Sequence, residues 1–136
     1  FFCPNDPEAA ENGFTSVLGV VGPGTLFPGG GKSARLADIR DDPDSTLMLV
    51  ESDNAKIHWM EPRDLDWNAM SFQVNDRSRP SISSKHRAGA YGGPLVATAT
   101  DGISSLHETT PPADVKAMLL INDGAVTNAP LGTRPR

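Results

Sequence analysis

Cysteine is almost missing from this chain: Cys3 is the single one in 136 residues. One thiol excludes an internal disulfide framework and any metal site built on several cysteines. Two readings of Cys3 stay open, a free thiol or a bond to a cysteine upstream in a longer protein. Basic residues are outnumbered, with 12 Lys and Arg against 17 Asp and Glu and a net charge of −5. An acidic surface argues against nucleic acid and anionic membrane surfaces as partners. No run approaches the ~18 apolar residues of a membrane-spanning helix, and Phe1-Phe2-Cys3-Pro4 does not read as a signal peptide. The first residue is not Met, which leads to the expectation of a processed protein or a domain cut from a longer one.

Glycine and proline, by contrast, are plentiful, at 13 and 12 residues, and apolar residues make up 38%. That combination points to many turns, long loops and short strands around one modest core. The expected fold is α+β, a small and mostly antiparallel sheet with long Gly/Pro loops and one C-terminal helix. Residues 1–136 form one domain in this reading, with 129–136 as a flexible tail.

The elements follow from local pattern. Phe1 to Gly13 reads as an irregular lead-in and Thr15 to Val21 as a strand stopped by Gly22-Pro23-Gly24. In the loop from Gly22 to Lys32, Leu26 and Phe27 are expected to pin the chain to the body. Ala34 to Ile39 makes a short turn or helical piece. Thr46 to Glu51, with four apolar residues in a row, suits a central covered strand. Lys56 to Trp59 reads as a third strand, and Glu61 to Met70 as a helical turn opened by Pro62. Leu95 to Leu106, interrupted by Asp101-Gly102, reads as a hairpin. A helix is expected over Pro111 to Ile121, capped by Thr110 and ended by Gly124, with Val115, Met118 and Leu119 on its buried face. Ala125 to Asn128 reads as an edge strand.

No catalytic constellation stands out. Gly29 to Ser33 (GGGKS) has Leu26 where a phosphate loop needs its first Gly, and Pro28 removes an N–H donor. His58, His86 and His107 lack the four-residue spacing that puts two ligands on one helix face. Ser83 and Ser84 near His86 have no Gly-x-Ser-x-Gly elbow around them. Asp38, Asp41, Asp42 and Asp44 offer oxygen ligands for calcium but lack the alternating ladder and closing Glu of an EF-hand loop. The aromatic rings of Trp59, Trp67 and Tyr91 can supply stacking faces, and Glu61 and Asp64 polar contacts.

Several strings together resemble a bacterial family of pseudopilin-like proteins, also described as PulG-like transporters or solute-binding proteins. They are Cys3-Pro4-Asn5-Asp6-Pro7, Thr15 to Gly24, Ala37-Asp38-Ile39, the apolar strand ending in Glu51, and Trp59, Glu61, Pro62, Asp64 and Leu65. The family closes with His, nine residues, then Asp-Gly. Here His86 stands fourteen residues before Asp101, whereas Tyr91 has the nine-residue spacing. Either the loop carries a five-residue insertion or Tyr takes the place of His. The stretch Asp41-Asp42-Pro43-Asp44-Ser45 departs from the family's Asp-Gly-Thr-Ser-Asn.

The resemblance implies the head domain of an extracytoplasmic subunit, in the periplasm or at the cell surface. In the family a prepilin-type segment and a long apolar helix precede this domain. The expected function is therefore non-enzymatic, in surface-fibre assembly or secretion. Its partners would be other protein subunits or further copies of itself, with no nucleic acid, no membrane contact by this fragment and no cofactor. The alternative is an extracytoplasmic binding module for a small solute, glycan or calcium. Its candidate residues are Trp59, Glu61, Asp64, Tyr91, His86 and Asp101, with Asp41, Asp42 and Asp44 for calcium.

Overall fold

A computed structural model describes residues 1–86, 92–100, 102–127 and 131–133. The fold is α+β. Strand β1 (Val17–Leu18), β3 (Leu47–Glu51), β5 (Leu95–Thr98), β6 (Ile103–Ser105) and β7 (Gly132–Thr133) form one sheet in the order β1-β3-β5-β6-β7. All its pairings are antiparallel. A second, parallel pair joins β2 (Val20–Val21) to β4 (Leu65–Asp66). The helices are α1 (Pro7–Asn12) and α2 (Pro112–Leu119), with a single 3-10 turn at Leu36–Asp38.

The apolar run Leu47–Val50 becomes an inner strand of the sheet, with neighbours on both sides. Register stacks Leu18, Val50 and Val96 side by side on one face. That face and the buried side of α2, formed by Val115, Met118 and Leu119, belong to one core with Leu65, Ile82 and Leu106. The β5–β6 hairpin is present. Its ladder stops at Thr98, whose N–H donates to the Gly102 carbonyl, and Asp101 lies outside the described residues.

Several sequence expectations are corrected. The strand expected over Thr15 to Val21 is two strands. Gly19 gives its N–H to Asp64 Oδ1 at 2.8 Å, and a Cβ there would stand 2.9 Å from the Phe27 ring. The chain therefore leaves the main sheet after Leu18 and pairs next with β4. The helical turn expected over Glu61 to Met70 does not open at Pro62, because Leu65 and Trp67 donate to the Gly19 and Val21 carbonyls and hold Leu65–Asp66 extended; the chain turns only afterwards, where Ala69 and Met70 N–H donate to the Asp66 carbonyl. Lys56 to Trp59 is no strand: Lys56 has φ of 51°, which breaks the extended path, and only a Phe14–His58 bridge remains.

The lead-in is not irregular. Asp6 caps α1 through Ala9 N–H, Pro7 opens it, and Gly13 closes it in the left-handed conformation. Glu8 then reaches Lys56 and Lys85, tying α1 to the body.

At the other end, Thr110 does not cap α2. Pro111 occupies the cap position with ψ of 141°, as a residue before Pro112 prefers. The helix stops at Leu119, well before Gly124, because Leu120 bridges Thr25 and Ile121 N–H donates to Gly24. No strand forms over 125–127; the edge strand is β7, inside the stretch 129–136 expected to be a flexible tail. The loop after β2 is pinned by half-buried Leu26, by the Phe27 ring lying against Gly19 and, in addition, by buried Thr25. The Thr25 hydroxyl lies within 3.1 Å of the Val20, Gly22 and Phe27 carbonyls.

Candidate functional site

The described residues among those singled out in the sequence sit on different elements. Trp59 and Glu61 sit on a tight turn closed by Glu61 N–H donating to the His58 carbonyl at 2.8 Å. His58 N–H donates to Glu61 Oε2, Met60 N–H donates to His58 Nδ1, and Arg63 pairs with Glu61 through two contacts. Those bonds and the Arg63 guanidinium hold the Glu61 carboxyl below its ordinary range. Trp59 is fixed by its own N–H on the Gly13 carbonyl, yet its side chain is 63% exposed. Asp64, exposed to solvent, accepts from Gly19 N–H instead and so ties the β1–β2 junction to the segment leading into β4. Beside it runs a groove of about 590 Å³ walled by Pro23, Pro62, Arg63, Asp64, Asp66 and Asn68.

Asp41, Asp42 and Asp44 do not converge. Asp41 accepts from Asp123 and Gly124 N–H, Asp42 from Asp44 N–H, and Asp44 from the Thr100 hydroxyl. Among the described residues, no three His, Cys, Asp or Glu side chains are grouped to hold a metal ion. Tyr91 and Asp101 lie outside the described residues.

His86 is at the end of β3, near Glu51. Glu51 is buried, accepts from Ser84 Oγ and Leu95 N–H at 2.8 Å each, and feels the charges of Asp53 and His86. Burial is the largest effect and pushes its carboxyl above the ordinary glutamate range, with Asp53 pushing the same way. The two hydrogen bonds and His86 pull it back. Sequence reading had placed Glu51 only as a strand end. Asp53 in turn takes Ser83 Oγ and Arg77 on its Oδ1. Among the described residues, no hydrogen bond or ion pair joins His86 to Trp59, Glu61 or Asp64.

What the structure adds is an apolar surface. Strand alternation that sends Leu18, Val50 and Val96 inward sends Val17, Leu49, Leu95, Ala97 and Ile103 to the other face of the sheet. These residues floor a hollow of about 410 Å³, and Phe2, Cys3 and Pro4 make its rim. The segment is held there by Ser16, whose N–H donates to the Phe1 carbonyl and whose hydroxyl accepts from Cys3 N–H. A smaller hollow of about 330 Å³ is lined by Leu26, Phe27, Leu36, Met48 and Ala99. Of the most exposed large apolar side chains, Phe2, Val17 and Ile103 line the first hollow and Phe27 and Leu36 the second. Among the described residues lining the first hollow, the one charged side chain is Glu51, already bonded to Ser84 and Leu95. The alternating pattern that signals this apolar face was present in the sequence, as Val17, Leu49, Ala97 and Ile103 at outward positions. It became readable only once β1, β3, β5 and β6 were known to be neighbours.

No family model, curated protein or solved structure matches the chain.

Proposed function

We propose that the chain is a non-enzymatic, pseudopilin-like extracytoplasmic subunit that works through contacts with other protein subunits, in surface-fibre assembly or secretion. The observation that carries this reading is the outer face of the sheet, where Val17 and Ile103 lie exposed and Leu49 and Ala97 half-buried beside exposed Phe2. Covering each such side chain releases about 1–3 kcal/mol, so a partner with an apolar surface gains by sitting there. The motif resemblance supports the same reading, and the reading needs no cofactor.

Site-specific photocrosslinking in cells that make the protein tests it. A probe at Ile103 should give adducts with extracytoplasmic subunits, and a probe at exposed Asp123 should not. Equal yields from the two positions would refute the proposal.

The groove beside Asp64 favours a second reading, a binding module for a small solute, glycan or calcium, because Arg63, Asp64, Asp66 and Asn68 give its walls polar groups. A melting temperature unmoved by calcium and by chelator would remove the calcium version.

A further inference from the structure

The hollow on the outer sheet face is small. At about 410 Å³ it lies near the lower end of ligand-sized pockets, roughly 300–1,000 Å³. That is room for one or two large side chains, not for a whole domain edge. Its described lining is mostly apolar side chains, with Glu51 already hydrogen-bonded, which suits an apolar occupant.

The chain itself carries such an object. Trp59 and Met60 are adjacent, 63% and 68% exposed, and stand at the tip of the turn closed by His58 and Glu61. The turn is locked before any partner arrives, by Trp59 N–H on Gly13, Met60 N–H on His58 and His58 N–H on Glu61. A preformed knob loses little conformational freedom on docking. The charges beside it are already paired, Glu61 with Arg63. Exposed Trp is also the residue type that most often anchors an interface.

We propose that the Trp59–Met60 turn of one copy docks in the apolar hollow of a second copy, between Phe2 and Ile103. This rests on the reading of the sheet face as a contact surface. Knob and hollow are different surfaces, so the contact is head to tail and leaves each pair with a free knob and a free hollow. It extends into a chain of copies. The buried area is on the order of 600 Å² in total, well under the ~1,200–2,000 Å² of a stable dimer. Each contact is therefore weak alone and accumulates along an assembly. Two copies of net charge −5 repel one another, so added salt strengthens the association.

Cys3 lies on the rim of the hollow, which makes the geometry testable on the purified chain. Met60→Cys leaves Trp59 in place and puts a thiol on the knob. Under mild oxidation at high protein concentration it should give a covalent ladder of dimers, trimers and longer species. Lys32→Cys, on an exposed loop, should give no such ladder, and Met60→Cys/Cys3→Ser should stop at dimers. Adding Trp59→Ala to Met60→Cys should cut the ladder at least fivefold.

A Met60→Cys yield no greater than that of Lys32→Cys would overturn the proposal, as would a ladder indifferent to Trp59→Ala. Dimers of the unaltered chain formed through Cys3 as readily as the ladder would overturn it too, by showing hollow-to-hollow packing. If Ile103 photocrosslinks succeed in cells while the ladder fails, the sheet face contacts a different protein, and only the self-docking is wrong.

Discussion

Replacing Glu51 with Gln should leave the protein at least as stable at pH 8, whereas replacing it with Ala should not. Glu51 is buried at the edge of the apolar hollow, and its two oxygens accept from Ser84 Oγ and Leu95 N–H. Alanine leaves the Leu95 N–H without its acceptor in a place water reaches poorly, a loss of about 1–3 kcal/mol. Glutamine keeps one oxygen for that N–H and has no charge to bury, so its stability should match or exceed the native chain's, within about 1 kcal/mol.

The pH dependence follows from the direction of the shift. Burial holds the Glu51 carboxyl above its ordinary value of 4.5 in the folded state. Its favourable contribution is therefore full below that value and is lost as pH rises through the raised folded one. The difference in unfolding free energy between Glu51→Gln and the native chain should grow in favour of Gln across this window. Urea unfolding at a series of pH values from 4.5 to 8 measures it, and the subtraction cancels the carboxylates that both proteins share. A Gln variant as destabilised at pH 8 as the Ala variant, or a difference that stays flat with pH, would refute the account of this site. The same reasoning extends to docking. A partner in the hollow removes more water from Glu51, so occupancy favours the protonated form and should be tighter at pH 5 than at pH 8.

Leu106 is 0% exposed and Ile103 57% exposed, although only Ser104 and Ser105 separate them. Leu106→Ala should cost about 2–5 kcal/mol and Ile103→Ala within about 0.5 kcal/mol, both read from urea midpoints. Asp64→Ala should cost about 1–3 kcal/mol by stranding the Gly19 N–H, and should speed hydrogen exchange at that amide. Asp76, held by Ser71 and Ser78 at a pKa of about 2, stabilises the fold above the usual aspartate range and stops doing so as pH falls toward 2. A carbon-detected NMR titration of its carboxyl should find a midpoint well below 3.8.

Legibility in the sequence tracked how local the cause was. The inner strand at Leu47–Glu51, the hairpin strands and the buried face of α2 were all readable, because unbroken or periodic apolar residues determine them nearby. Helix α1 was readable in principle from Asp6, Pro7 and Gly13, a cap, an opener and a closer in the right places, but its apolar content is too slight to draw the eye. The split at Gly19 and the extended path through Leu65 were not readable. Each depends on a partner about 45 residues away, Asp64 for Gly19 and Gly19 for Leu65. The candidate site behaved the same way. Trp59, Glu61 and Asp64 belong to one short stretch, yet they do three different things. Trp59 is thrust outward, Glu61 braces the turn and Asp64 holds the Gly19 N–H. The apolar face was invisible, because its members come from four strands that only the topology makes neighbours.

The central claim is that the outer face of the sheet is covered when the protein does its work. Carbene footprinting of the purified chain, beside the same protein in the cells that make it, measures this directly. Val17, Leu49 and Ile103 should be labelled strongly in the purified chain and several-fold less in place, while exposed Ala125 and Val126 should be labelled alike in both. Equal labelling of Val17, Leu49 and Ile103 in the two settings would show a bare face in the working protein and contradict the account.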